Sequence, residues 1–285
     1  MKPSKSNVKI LIETKLKCNV SKIKDSSKGE DQIVKIVDTD NGKFVVKFPK
    51  DKHMIHRQVF ANDKLKGKIP LAEIVYYDDE CIIEAFILGN ELDDICLKDG
   101  DAKKVFFQLG EILSEIHQIN IEGCGFIEDQ HGKYNSMKEF IDNYWLKGRL
   151  EDLLKYKTVT KKEMYLIEEY LIKNEYLQKS EECCLLHFDY VGSNIKVNKG
   201  DVSGIIDFAD IISGPKEFDF SRLYIAHNQD GLFDFILKGY SQKLDMNKIR
   251  YYSALTLMRL LPYFEDADPE QYKRGLKLLW EIGSK

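Results

Sequence analysis

Hydrophobic periodicity changes once along this chain, near residues 84–90, and a fold made of one kind of element could not satisfy both halves. Before that point the apolar residues alternate or form short β-branched runs. Gln32–Val37 and Lys43–Phe48 flank Asp38-Thr39-Asp40-Asn41-Gly42, whose Asn-Gly pair is a strong hairpin turn signal. Asp51–Lys66 carries Ile55, Val59 and Leu65 at helical spacing, with Gly67 as its stop. Glu73–Tyr77 and Glu80–Ile87 predict a second hairpin through Asp78-Asp79. After Gly89 the period becomes helical: Asp101–Ile119 sets Val105, Leu109, Ile112 and Ile116 on one face. Similar patterns occupy Ser136–Lys155, Thr160–Leu177, Phe218–Ala226, Leu232–Leu244 and Asn247–Leu261, and Asp268-Pro269 starts a last helix to about Gly283. Only two short strands, Ile195–Val197 and Gly204–Phe208, are expected to interrupt them. The expectation is an α+β chain, with a mainly β lobe over residues 1–88 and a mainly α lobe over residues 89–285.

A chain of 285 residues can bury a core, and its mixed charges without Ser, Gly or Pro tracts argue against long disorder. The net charge of −4 argues against nucleic acid as the main partner, since phosphate neutralisation needs a basic face. Charge is unevenly placed, however. Residues 1–50 hold 12 Lys/Arg against 6 Asp/Glu, a balance of +6, which leaves −10 for the remainder. That distribution suits an anionic ligand at the front and a cationic one further on. Lysines interrupt every short apolar run of Met1–Lys17, and Cys81–Asn90 is too short to span a bilayer, so neither export nor membrane insertion is expected. Six cysteines without a C-x-x-C spacing read as reduced thiols of a cytoplasmic protein.

Chemistry concentrates in Leu185-Leu186-His187-Phe188-Asp189-Tyr190-Val191-Gly192-Ser193-Asn194-Ile195-Lys196-Val197, followed by Gly204-Ile205-Ile206-Asp207-Phe208. An apolar entry leads to His and Asp one residue apart, then to Asn five residues later, and a tight hairpin ends in a second Asp. Taken alone, two apolar strands ending in Asp also describe a metal-free hairpin. Phosphoryl transfer would use these residue types, because it needs oxygen ligands for Mg²⁺ and a separate carboxylate to orient the attacking hydroxyl. Asn194 and Asp207 supply the oxygens, Asp189 is the separate carboxylate, and His187 suits an ordering role. Lys47, on the strand Phe44-Val45-Val46-Lys47-Phe48 after a hairpin, stands in the right order to meet nucleotide phosphates.

Together these motifs resemble the aminoglycoside phosphotransferase and choline kinase branch of the protein-kinase-like fold. Ile206-Asp207-Phe208, Gly214-Pro215-Lys216-Glu217-Phe218-Asp219, Leu109–His117 and Ile83–Gly89 are similar to that branch's segments, in order, over roughly Lys43 to Arg222. The resemblance implies a bilobal architecture with a nucleotide-binding lobe (1–88) and a catalytic, substrate-binding helical lobe (89–285). It also implies Asp189 as catalytic residue, Asn194 and Asp207 as Mg²⁺ ligands, Lys47 as phosphate lysine, and adenine contact by the backbone around Glu84–Phe86. Asp219 would brace the catalytic loop, and ATP or GTP would be the donor.

Two departures stand out. Where the resemblance predicts a glutamate to pair with Lys47, the helix offers Gln58, which could hydrogen-bond the lysine without neutralising it. The phosphate loop around Ser27 carries one glycine instead of three. Both leave open a nucleotide-binding protein without transfer activity, whereas a phosphohydrolase on a metal pair would need further His and Asp ligands. For the acceptor, the acidic balance favours a cationic small molecule bearing a hydroxyl: an aminoglycoside-like antibiotic first, choline or an amino-sugar metabolite second. Asp210 and Glu265 are expected to face its ammonium groups, and Trp145 and Tyr263 to frame its ring. Monomer and dimer stay open.

Overall fold

The computed structural model describes residues 4–26, 32–146, 160–179 and 182–283, and of residues 161–164, 263 and 265–267 the backbone alone. The chain forms two compact units, one of Met1–Cys96 with Gly192–Asp210, the other of Leu97–Val191 with Ile211–Lys285. The architecture is α+β, as expected.

The first unit is built on an antiparallel sheet in the order β1-β2-β3-β5-β4, comprising β1 (Val20–Asp25), β2 (Gln32–Thr39), β3 (Gly42–Pro49), β4 (Ile74–Tyr77) and β5 (Ile82–Ala85). The Asn-Gly signal sits where expected: Thr39 opposes Gly42 across the Asp40-Asn41 turn, and Gly42 takes φ 121°, which a side chain would resist. Helix α2 (Lys52–Leu65) begins where the Asp51 carboxylate accepts the His53 amide, and it buries Ile55, Gln58, Ala61 and Leu65 along one face. Helix α1 (Lys5–Leu16) was not anticipated. Val8 and Ile12 are its buried anchors, packed with Cys18, Val37, Val46 and Ile83, with Leu11 and Leu16 partly buried against the same cluster, while its lysines disguise the period.

A small sheet completes this unit: β6 (Asn90–Glu91), β10 (Ile195–Asn198) and β11 (Asp201–Ile205) in the order β11-β10-β6. Lys196 pairs with Glu91, and Ile205 bridges to Leu71. These long-range pairings carry the unit to Cys96 and draw residues 192–210 into it, beyond the boundary expected at residue 88.

The second unit contains α3 (Asp99–Ile116), α4 (Met137–Phe140), α5 (Lys161–Lys173), α6 (Glu217–His227), α7 (Phe233–Gly239), α8 (Met246–Ala267) and α9 (Pro269–Gly283). It also holds a sheet in the order β8-β7-β12-β9, from β7 (Cys124–Glu128), β8 (His131–Tyr134), β9 (Cys184–Leu186) and β12 (Ile212–Gly214). That sheet corrects the expectation of only two strands beyond Gly89. Its strands run three to five residues and include Gly125, Gly132 and Gly214, too short and glycine-rich to show a clear alternation. The helix expected over Ser136–Lys155 is α4 followed by a π-helical turn to Trp145, and residues 147–159 lie outside the described ones. Helix α8 runs through Pro262 past its expected end at Leu261. Helices α3 and α7 approach so closely that a Cβ on Gly110 would lie 2.1 Å from the Ile236 carbonyl oxygen. Among the described residues no helix is long and apolar enough to cross a membrane.

Candidate active site

Hairpin β10–β11 presents the oxygen donors of the first unit. Ile195 opposes Ile205, and the Ile206 amide donates to the Asn194 carbonyl at 2.9 Å, so Asn194 and Asp207 flank the same end of the hairpin. Asn194 is buried. Asp207 adopts φ 68°, and the Gln32 amide nitrogen donates to both of its carboxylate oxygens, at 3.0 and 3.1 Å. Gln32 escaped sequence reasoning because nothing local ties β2 to a residue 175 positions away.

Lys47 is buried on β3, with Nζ 3.0 Å from Glu84 Oε2. Burial disfavours its charge, but Glu84 and Asp207 outweigh that penalty and leave its pKa above the ordinary lysine value, so it stays cationic through the neutral range. Gln58 occupies the helix position read from the sequence, but its amide nitrogen donates to Glu84 Oε1, not to Lys47. The lysine's partner is therefore the β5 carboxylate. That gives the Glu84 side chain a task the sequence reading did not assign, since only the backbone there was expected to contact adenine. The Phe86 amide is also committed elsewhere, to the Lys43 carbonyl at 3.0 Å, and its ring lies under the Lys43 ammonium at 4.8 Å. Asp210, expected at a substrate ammonium, has Oδ1 3.8 Å from Arg57 Nη1, a cation of its own unit. Ser27 lies outside the described residues.

In the second unit, β9 leads into the loop bearing Asp189. Phe188 takes φ 69°, a conformation costing a bulky residue about 1–3 kcal/mol unless its surroundings impose it. The constraint is Asp219 at the start of α6. Its Oδ2 accepts the His187 amide at 2.8 Å and its Oδ1 the Phe188 amide at 2.7 Å, and Oδ2 also meets His117 Nε2 at 3.1 Å. His117 Nδ1 in turn lies 2.9 Å from the Tyr240 hydroxyl. Asp219 thus braces the loop from beneath, as the resemblance implied, and His187 is wholly buried, as an ordering residue should be.

Asp189 itself is partly open to solvent, and its Oδ1 accepts from Arg222 Nη2 at 2.8 Å. Burial lowers the Arg222 pKa, Asp189 opposes that and Arg259 adds to it. Arg222 was missed as a site residue; the only available signal was its place one helical turn after Asp219. Trp145, expected to frame a ligand, is a core residue: its indole N–H donates to the Leu255 carbonyl at 2.8 Å and its ring packs edge-on against Phe188 and Phe218. An indole whose one donor is satisfied by backbone has become packing. Tyr263 and Glu265 fall on α8 with their side chains outside the described residues. A cavity of about 930 Å³ in this unit, lined by Glu122, Lys138 and Glu175 among others, includes neither Asp189 nor Arg222.

The donor chemistry fits Mg²⁺. A carboxylate and an amide at one hairpin end are hard oxygen ligands, and Mg²⁺ ordinarily takes one or two such groups and completes its shell with water and phosphates. Among the described residues no cluster of three or more His, Cys, Asp or Glu could hold a metal.

A family model described as the phosphotransferase enzyme family matches residues 22–252. No curated protein sequence matches the chain. Among solved structures, a thermostable mutant of aminoglycoside phosphotransferase APH(4)-Ia in ternary complex with AMP-PNP and hygromycin B superposes with TM-score 0.72 at 14% identity, over 97% of this chain and 98% of that one. The gentamicin complex of APH(2")-IIa gives TM-score 0.68 at 20% identity over 99% and 97%. A candidate fructosamine-3-kinase from Thermobifida fusca YX-ER1 gives 0.70 at 15% identity over 98% and 100%. These likenesses speak for the fold, while the family model takes in most of the chain, including every residue of the loop and hairpin described above. On that ground the chain belongs to the phosphotransferase enzyme family, and its fold is the protein-kinase-like one of these structures.

Proposed function

We propose that this protein transfers the γ-phosphate of ATP or GTP to a hydroxyl of an aminoglycoside-like, cationic amino sugar in the cytoplasm. The observation that carries the reading is the loop around Asp189: a carboxylate partly open to solvent, tied to Arg222 and mounted on a strained backbone that Asp219 holds in place. Such a carboxylate can accept or orient the proton of an attacking hydroxyl while Arg222 keeps its rotamer fixed. In the other unit, Lys47 would neutralise phosphate oxygens of the donor, and Asn194 and Asp207 would hold Mg²⁺. When bound, that ion would neutralise charge developing on the transferred group. The six cysteines are free thiols, which suits a reducing compartment.

The acceptor class is supported by the −10 balance beyond residue 50 and by the hygromycin B and gentamicin complexes of the structural neighbours. The candidate fructosamine-3-kinase among them favours a second reading, an amino-sugar metabolite. The deciding experiment measures turnover of ATP and of GTP with Mg²⁺ against hygromycin B, gentamicin and a fructosamine, with growth of a sensitive bacterium expressing the protein measured in parallel. Phosphorylation of an antibiotic together with raised tolerance is the expected result. Transfer to the fructosamine alone would replace the first reading with the second, and binding of nucleotide without any transfer would leave a non-catalytic protein.

Two substitutions probe the assignments separately. Lys47→Met should lower kcat/KM by about 10- to 150-fold, as expected for losing a charge-assisted phosphate contact of roughly 1.5–3 kcal/mol. Unchanged kinetics would show that another cation meets the phosphates. Arg222→Met should lower kcat by about tenfold, the consequence of losing roughly 1.4 kcal/mol of orientation at Asp189, with the nucleotide KM unchanged. A rise in nucleotide KM instead would place Arg222 in donor binding.

A further inference from the structure

We infer that Glu84 is the counter-ion that positions Lys47, a task carried by a strand of the same sheet and not by the neighbouring helix. The inference rests on the reading of Lys47 as the phosphate lysine. In the kinase arrangement the strand lysine is paired by a glutamate on the following helix, so that the lysine is in place only when the helix is. Here the buried face of α2 offers Gln58 at that place, and the helix's carboxylate, Asp63, is exposed. The anion comes from β5.

The register explains how. Lys47 opposes Ile82 and Val45 opposes Glu84, so Lys47 and Glu84 are diagonal neighbours on one face of adjacent antiparallel strands, within reach of long side chains. Both are buried, at 4% exposure each, where a single unpaired charge would be strongly disfavoured. Glu84 divides its two oxygens: Oε2 faces Lys47 at 3.0 Å, while Oε1 accepts from the Gln58 amide. Gln58 therefore keeps a link to the pair, but as a neutral donor that orients the carboxylate. Its own Oε1 is buried with no partner among the described residues, so the amide is held there by the bond it gives to Glu84. The raised pKa of Lys47 agrees with an intact pair.

Two consequences separate this wiring from a merely structural ion pair. The charge that orders the lysine comes through the β3–β5 ladder, so α2 contributes only the neutral Gln58 amide that orients the carboxylate, and a shift of α2 would not remove the counter-ion. The carboxylate should also be transferable, since Gln58 and Glu84 already touch and one can carry the charge for the other.

The test uses the full-length protein, with AMP-PNP and Mg²⁺ affinity by calorimetry as a readout that needs no acceptor, and phosphate transfer as a second. Glu84→Gln should weaken AMP-PNP binding at least tenfold, as Lys47→Met does. The exchange Glu84→Gln with Gln58→Glu should restore binding to within a few-fold of the parent, because the charge is returned to the helix side of the same contact. If Glu84→Gln alone fails to fold, the exchanged protein still decides: a folded exchange variant that binds AMP-PNP supports the inference, and one that folds without binding overturns it. Weakened binding in Lys47→Met with unchanged binding in Glu84→Gln overturns the role of Glu84 alone. Unchanged binding in both overturns the underlying reading of Lys47.

Discussion

Asp189→Ala lowers the rate of phosphate transfer by roughly 10²–10⁴-fold, the range lost when a positioned proton acceptor is removed, and leaves the nucleotide KM unchanged. The carboxylate belongs to the unit that does not contain Lys47, Asn194 or Asp207, so donor binding should not register its loss. Folding should hardly register it either, because Asp189 is partly exposed and Arg222, which donates to it, also reaches solvent. Asp189→Asn is the sharper variant. It retains an acceptor for the Arg222 guanidinium at 2.8 Å but cannot take a proton, so it should be as slow as the alanine variant if the carboxylate acts as a base. Rapid-quench measurement of a single turnover isolates the step. A variant that transfers phosphate at the parental rate removes Asp189 from the reaction.

The largest effect on stability is expected at Asp219. Its carboxylate is fully buried and receives the His187 and Phe188 amides while facing His117. Asp219→Ala strands those donors in a dry interior at a cost of about 3–5 kcal/mol. For a chain of this size that corresponds to a fall in Tm of about 6–20 °C. Phe188 would also lose the restraint on its φ of 69°, so transfer should fall even at temperatures where the variant stays folded. Thermal unfolding followed by circular dichroism, with activity measured well below the transition, separates the two effects. A Tm within a degree or two of the parent would show that the brace lies elsewhere.

How much of this site was legible beforehand depends on the sequence distance over which each part is assembled. The His187–Asn194 loop and Asp207 are written within about twenty residues, and the hairpin between them is short enough for local spacing to align Asn194 with Asp207. The same holds for the β2–β3 turn, where Asn41-Gly42 marks the reversal. Lys47 and its partner are different. Their contact depends on a register between strands separated by the whole of α2, which no local pattern encodes, and so Gln58 drew attention while Glu84 was read only for its backbone. Trp145 illustrates another limit. A large aromatic with one donor reads alike as ligand frame or as core, and only the Leu255 carbonyl decides. The strands of the second sheet went unseen because runs of three to five residues, interrupted by glycine in β7, β8 and β12, do not establish a period.

The return of Gly192–Asp210 to the first unit bears on how the protein is made. A ribosome has built β1 through β6 by the time it reaches Glu91, yet the partner of β6 and the bridge to Leu71 come only with Ile195–Asn198 and Ile205. At about 5–20 residues per second, the early part waits roughly 6–20 s for them. During that interval the edge formed by Asn90–Glu91 is exposed on a nascent chain, open to holding chaperones and to mispairing. Ribosome-bound fragments ending before Gly192 should therefore be more open to protease at Leu71 and at Asn90–Glu91 than the finished protein, and shortening the dwell at that stage would matter more for soluble yield than any change to the helices made afterwards.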